Sequence, residues 1–141
     1  MARNLWPDIE SETVLTPVAI LREQADLLGQ KTKNVVTARV AGGRIMPGPS
    51  LIHIPPGFAY TLSLVAPALD NYAYDILRVR HGMQIYPVEV SDLVRNTHLQ
   101  AATEEEFLVA LGELLGSPEV KKVIQVLLAQ SDALLVPAPT R

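Results

Sequence analysis

Residues 58–80 read FAYTLSLVAPALDNYAYDILRVR, and the reading of this stretch decides the fold. Phe58 to Val65 and Tyr72 to Arg80 are the longest strand candidates in the chain. Pro67 and the pair Asp70-Asn71 supply the turn between them, since proline presets φ and Asp and Asn tolerate left-handed backbone. Strands joined by so short a connection pair antiparallel, because a parallel pair needs a long crossover. A period of two in the second strand puts Tyr72, Tyr74, Ile76, Arg78 and Arg80 on one face. Ala73, Asp75, Leu77, Val79 and His81 then share the other. Both sets mix polar and apolar side chains, so the pattern leaves open which one meets the core.

Upstream, Asn34 to Ala41 has strand periodicity, with Val36, Ala38 and Val40 alternating with Thr37 and Arg39. Gly42-Gly43 offers a tight two-residue turn, after which Arg44, Ile45 and Met46 begin a returning strand. Pro47 and Pro49 must break the ladder, because proline has no N–H to donate. Leu51 to Ile54 resumes a short strand before Pro55-Pro56-Gly57 breaks it again. Downstream, Gly82 makes a turn and Gln84 to Val90 a further strand, whose Pro87 points to a sheet edge or a bulge.

Outside this central region the apolar period changes to that of helices. Thr16-Pro17 is a helix start, with a hydroxyl to cap free N–H groups and a first residue that has none. Leu21, Ala25 and Leu28 follow on one face, and Gly29 is the expected stop. Thr103 with Glu106 is a capping-box pattern, followed by the stripe Phe107, Leu108, Leu111, Leu114 and Leu115. Gly116-Ser117-Pro118 ends that helix and starts another, in which Val120, Val123, Ile124, Leu127 and Leu128 form the stripe. The expected fold is therefore α+β: an antiparallel meander of about four or five strands, flanked by an N-terminal helix and a C-terminal helical hairpin that covers one face. One domain over 1–141 is expected, with 1–12 a flexible acidic arm and 133–141 a frayed tail.

The composition is 48% hydrophobic and 19% charged, which excludes global disorder, and aromatics at 5% leave an aliphatic core. A net charge of −3 argues against a general phosphate-binding surface, so nucleic acid is disfavoured as a partner. With no cysteine there is no disulfide, no thiolate catalysis and no cysteine metal site. No signal-peptide pattern opens the chain and no apolar run approaches membrane-spanning length. The expectation is a soluble cytoplasmic protein without a membrane partner.

Chemistry-bearing motifs are sparse. His53, His81 and His98 have no spacing that brings two of them together, so neither a metal site nor a cofactor is expected. Gly42-Gly43 lacks the Gly-Lys-Ser/Thr of a phosphate loop, and no serine sits in a Gly-x-Ser-x-Gly elbow. The best polar cluster is Arg78, Arg80 and His81 with Tyr72 and Tyr74. Guanidiniums beside tyrosines grip a phosphate, a carboxylate or a single-stranded base. The competing reading is a solvated face whose arginines pair across strands with Glu89 or Asp92.

Two functions follow. The first is a small non-catalytic interaction or accessory protein, a regulatory, inhibitor or self-assembling subunit, acting on a protein partner or as a homo-oligomer. An aliphatic-rich chain with proline-broken strand edges suits that role. The second is a ligand- or nucleic-acid-binding domain that uses the Arg/Tyr/His sheet face. The first is preferred, because no catalytic motif is present.

Overall fold

The computed structural model describes residues 3–45 and 57–135. Met46 and the expected strand Leu51 to Ile54, with His53, lie outside the described residues. The elements run α1 (Pro17–Lys31), β1 (Thr37–Arg44), β2 (Phe58–Ala66), β3 (Tyr72–His81), β4 (Val88–Asp92), β5 (Thr97–Ala101), α2 (Glu104–Leu115) and α3 (Pro118–Leu135). A single 3-10 turn, Pro67–Leu69, joins β2 to β3. The strands form one antiparallel sheet in the order β1-β2-β3-β4-β5, so the fold is the α+β meander with three helices that the periodicity predicts.

The helix starts are fixed by local chemistry. Thr16 Oγ1 accepts the Ala19 amide at 3.3 Å ahead of Pro17, and Thr103 Oγ1 accepts the Glu106 amide at 3.2 Å. The Glu106 carboxylate returns to the Ala102 amide at 2.6 Å, one residue before the cap. Buried Ser117 links α2 to α3, donating to the Leu114 carbonyl at 2.7 Å and accepting the Val120 amide at 3.3 Å.

Several sequence expectations need correction. Helix α1 runs past Gly29 to Lys31, because Thr32 caps it and the chain turns at Lys33 and Asn34, both at positive φ. Gly42-Gly43 is not a turn but part of β1, which continues to Arg44. Gly42 has φ +132° and lies against the backbone of Ala59 and Tyr60, where a Cβ would collide. Strand β4 starts at Val88, after Pro87 instead of around it. The segment Thr97–Ala101, which the sequence leaves as a loop, is the edge strand β5. Residues 133–135 of the expected tail belong to α3.

The sheet has two unlike faces, and register assigns every side chain to one of them. Leu62 lies opposite Val40 and Leu77, Val79 lies opposite Tyr60 and Val90, and Val88 lies opposite Ala101. Directly opposed residues share a face. These residues meet Ile20 and Leu21 of α1, Phe107, Leu111 and Leu114 of α2, and Val120 and Leu127 of α3 in one continuous core. All three helices therefore cover the same face.

Register slips between β2 and β3. Leu62 opposes Leu77 but Ser63 opposes Asp75, so Ile76 is an extra, bulged residue. Ile76 and Leu77 are both buried, at 1% and 0% exposure. The bulge reverses the alternation of β3 at its middle. Tyr72 and Tyr74 lie on the helix side with Leu77, Val79 and His81, while Arg78 and Arg80 lie on the other side with Ala73 and Asp75.

Candidate functional site: the helix-free sheet face

Beyond a first row of Thr37, Val65 and Ala73, the face opposite the helices carries three rows of more polar side chains. One row is Arg39, Ser63 and Asp75. The next is Ala41, Thr61, Arg78, Ser91 and His98, and the third is Gly43, Ala59, Arg80, Glu89 and Gln100. Arg39, Asp75, Arg78, Arg80, Glu89, His98 and Gln100 are all exposed, and among the described residues no helix covers them. At the ordinary strand spacing the patch is roughly 20 Å on a side.

Side chains on this face are partly organised by each other. Ser63, only 4% exposed, donates to Asp75 Oδ1 at 2.5 Å. Arg78 Nε donates to Thr61 Oγ1 at 3.4 Å, and His98 Nδ1 lies 3.0 Å from Ser91 Oγ. Arg80 stands directly opposite Glu89 in the register. Among the described residues neither Arg78 nor Arg80 is in an ion pair, so their guanidiniums face solvent. Of the two acids that the sequence offers them, Glu89 and Asp92, the second belongs to Arg95 instead, with Arg95 Nε 2.6 Å from Asp92 Oδ2.

The five residues expected to form one cluster lie in three places. Arg78 and Arg80 are on the open face. Tyr72 and Tyr74 line a groove on the helix side, between the start of β3 and α3, with Leu69, Lys122, Val126 and Leu127, enclosing about 410 Å³. His81 is at the far end of β3, stacked on Phe58 and Tyr60 at centroid distances of 5.3 and 6.0 Å. Its Nδ1 is 2.8 Å from the Gly82 carbonyl, which can only accept, so Nδ1 carries the proton. Nε2 is buried and among the described residues has no hydrogen-bond partner.

Sequence reasoning missed Arg39, Ser91 and His98 as members of the open face, and Lys122 as a groove residue. Arg39 was signalled by its alternation with Ala38 and Val40. His98 carried no signal, because four of the five residues of β5 are exposed.

A second polar knot ties the chain start to α2. Leu15 donates its amide to Glu104 Oε1 at 2.7 Å and accepts from the Tyr86 hydroxyl at 3.1 Å. Burial, reinforced by the Glu104 carboxylate, raises the Tyr86 phenol above its usual range. Among the described residues no three His, Asp or Glu side chains converge as a metal-ligand set. Among them, too, no helix is long and apolar enough to cross a membrane. No protein-family model, curated protein or solved structure matches the chain.

Proposed function

We propose that this chain is a small non-catalytic interaction protein that docks a protein partner through the helix-free face of its sheet. The partner surface is acidic: Arg39, Arg78 and Arg80 outnumber Asp75 and Glu89 on the patch, and arginine forks suit carboxylates. The observation that supports this most directly is an exposed sheet face bearing two arginines without ion-pair partners. A patch roughly 20 Å on a side, about 400 Å², falls short of the ~800 Å² per partner of a standard complex. That size fits a transient regulatory or accessory contact. A cysteine-free chain of this kind suits a cytoplasmic setting.

Nucleic acid is the weaker reading for this face. Sequence-tolerant binding of single strands stacks bases on aromatic rings. Tyr72 and Tyr74 are on the other side of the sheet, so the arginines have no tyrosine platform beside them.

The test is charge reversal, Arg78→Glu with Arg80→Glu, at two exposed positions that leave the core intact. Cross-linked complexes from cells expressing either form are compared, and the protein that the variant loses is purified and titrated directly. Binding at least ten-fold weaker than wild type, with a steep salt dependence in the wild type, is expected. Unchanged partner binding by the variant overturns the proposal. So does tight, salt-sensitive binding of a labelled single-stranded oligonucleotide that the variant abolishes.

A further inference from the structure

Residues 3–15 form neither helix nor strand and lead into α1. They carry Leu5, Trp6 and Ile9 at 84%, 78% and 75% exposure, together with Asp8, Glu10 and Glu12. Single exposed apolar residues are ordinary, but three large ones on one short segment, including the chain's one tryptophan, form a binding element without its counterpart. A counterpart is present on the body. The groove of Leu69, Tyr72, Tyr74, Lys122, Val126 and Leu127 is open, largely apolar and about 410 Å³ in volume, within the range of ~300–1,000 Å³ that ligand sites use. Lys122 is the one charged side chain among its described lining residues, opposite in sign to the three acids of the arm.

We propose that the groove receives the N-terminal arm of a second copy of this chain, with Trp6 seated between the tyrosines and α3 and the arm's acids beside Lys122. The arm is tethered at Leu15 to Tyr86 and Glu104, at the end of the sheet where His81 pairs with Val88. The groove is at the opposite end, where Tyr72 pairs with Ala66. Extended, residues 3–15 reach about 40 Å. The arm stands free of its own groove. Reciprocal exchange between two copies satisfies both arms and both grooves at once and closes the assembly as a two-fold dimer. The contact lies on the helix side, so it leaves Arg78 and Arg80 free and does not depend on the function proposed for them.

Trp6 is also the reporter. Light scattering across a concentration series is expected to show a dimer, with a Trp6 emission that shifts to the blue as the dimer forms. Trp6→Ala and Val126→Glu are each expected to weaken the dimer by roughly 100-fold or more, since buried tryptophan anchors dominate such contacts. Both positions are exposed, at 78% and 40%, and circular dichroism confirms that each variant keeps its fold. The decisive mixture is the Val126→Glu chain, which keeps its arm, with the Trp6→Ala chain, which keeps its groove and has no other tryptophan. Adding the second to the first is expected to shift the Trp6 emission to the blue and produce a mixed dimer. A monomer at every concentration, a dimer indifferent to both substitutions, or a mixture without a shift overturns the proposal. A blue emission that is independent of concentration would place the arm in its own groove and also overturn it.

Discussion

Asp92 closes the β4–β5 hairpin and so aligns Ser91 and His98 on the open face. Its Oδ1 accepts the amides of Val94 and Arg95, each at 3.0 Å, and Oδ2 takes Arg95 Nε at 2.6 Å. The Asp92 side chain is 5% exposed against 40% for Arg95, so solvent screens the carboxylate little. Burial pulls its pKa upward, but the Arg95 amide and guanidinium and the Val94 amide together outweigh that and hold it below the usual carboxylate range. Asp92→Ala removes all three bonds and leaves two amides to find water, at a cost of about 3 kcal/mol. For a chain of this size that lowers the melting temperature by roughly 6–12 °C. Asp92→Asn keeps an acceptor for both amides but loses the charge and with it the bond from Arg95 Nε, because its amide nitrogen can only donate, costing about 1–1.5 kcal/mol. Because the folded pKa is depressed, the charge contribution is complete above the unfolded value of about 4 and disappears as pH falls through the folded one. Urea unfolding at pH 7 and at steps down to about pH 3 is the assay. The Asp92→Asn variant should converge on wild type in acid, while the Asp92→Ala variant stays less stable throughout. Equal stability of wild type and the Asp92→Asn variant at pH 7, or a gap that persists unchanged into acid, would refute the reasoning.

Two further outcomes are expected. Gly42→Val sets a β-branched side chain at φ +132° against the Ala59 carbonyl and should cost roughly 2–4 kcal/mol in thermal unfolding, whereas Gly43→Ala, with open space around it, should stay within about 1 kcal/mol of wild type. Tyr86→Phe removes the hydroxyl that holds the Leu15 carbonyl, so limited proteolysis within residues 3–15 should accelerate while global stability falls by about 1 kcal/mol or less.

The helices and the central hairpin were legible because burial imposes a period on their sequences. Thr16-Pro17, Thr103 with Glu106, and Ser117-Pro118 mark helix starts through bonds that involve only neighbouring residues, so the sequence carries the whole instruction. Gly42 was misread because a strand that must approach its neighbour's backbone and a tight turn both call for glycine. Strand β5 was invisible because Thr97, His98, Leu99 and Gln100 are all exposed, and a strand wet on both faces imposes no alternation. Lys122 could not be placed from sequence, since its meeting with Tyr72 and Tyr74 depends on how α3 crosses the sheet.

The candidate cluster failed for a more instructive reason. Charged positions in β3 fall at Asp75, then at Arg78 and Arg80, so the parity changes across Ile76-Leu77. Two consecutive large apolar residues with a phase change around them are the mark of a bulge, because strict alternation would leave one of them on the open face between Asp75 and Arg78. Burial of both, at 1% and 0%, is gained by letting Ile76 go unpaired. Strict alternation joins the tyrosines to the arginines and yields one mixed binding face. The phase change instead separates them into a polar cationic face and an apolar groove on opposite sides of the sheet. The occupants proposed for them differ accordingly, an acidic protein patch on one side and an apolar, acid-bearing arm on the other. The bulge thus lets one five-stranded sheet present two unlike surfaces, and a ligand that needs an arginine and a tyrosine side by side finds no such pair on β3.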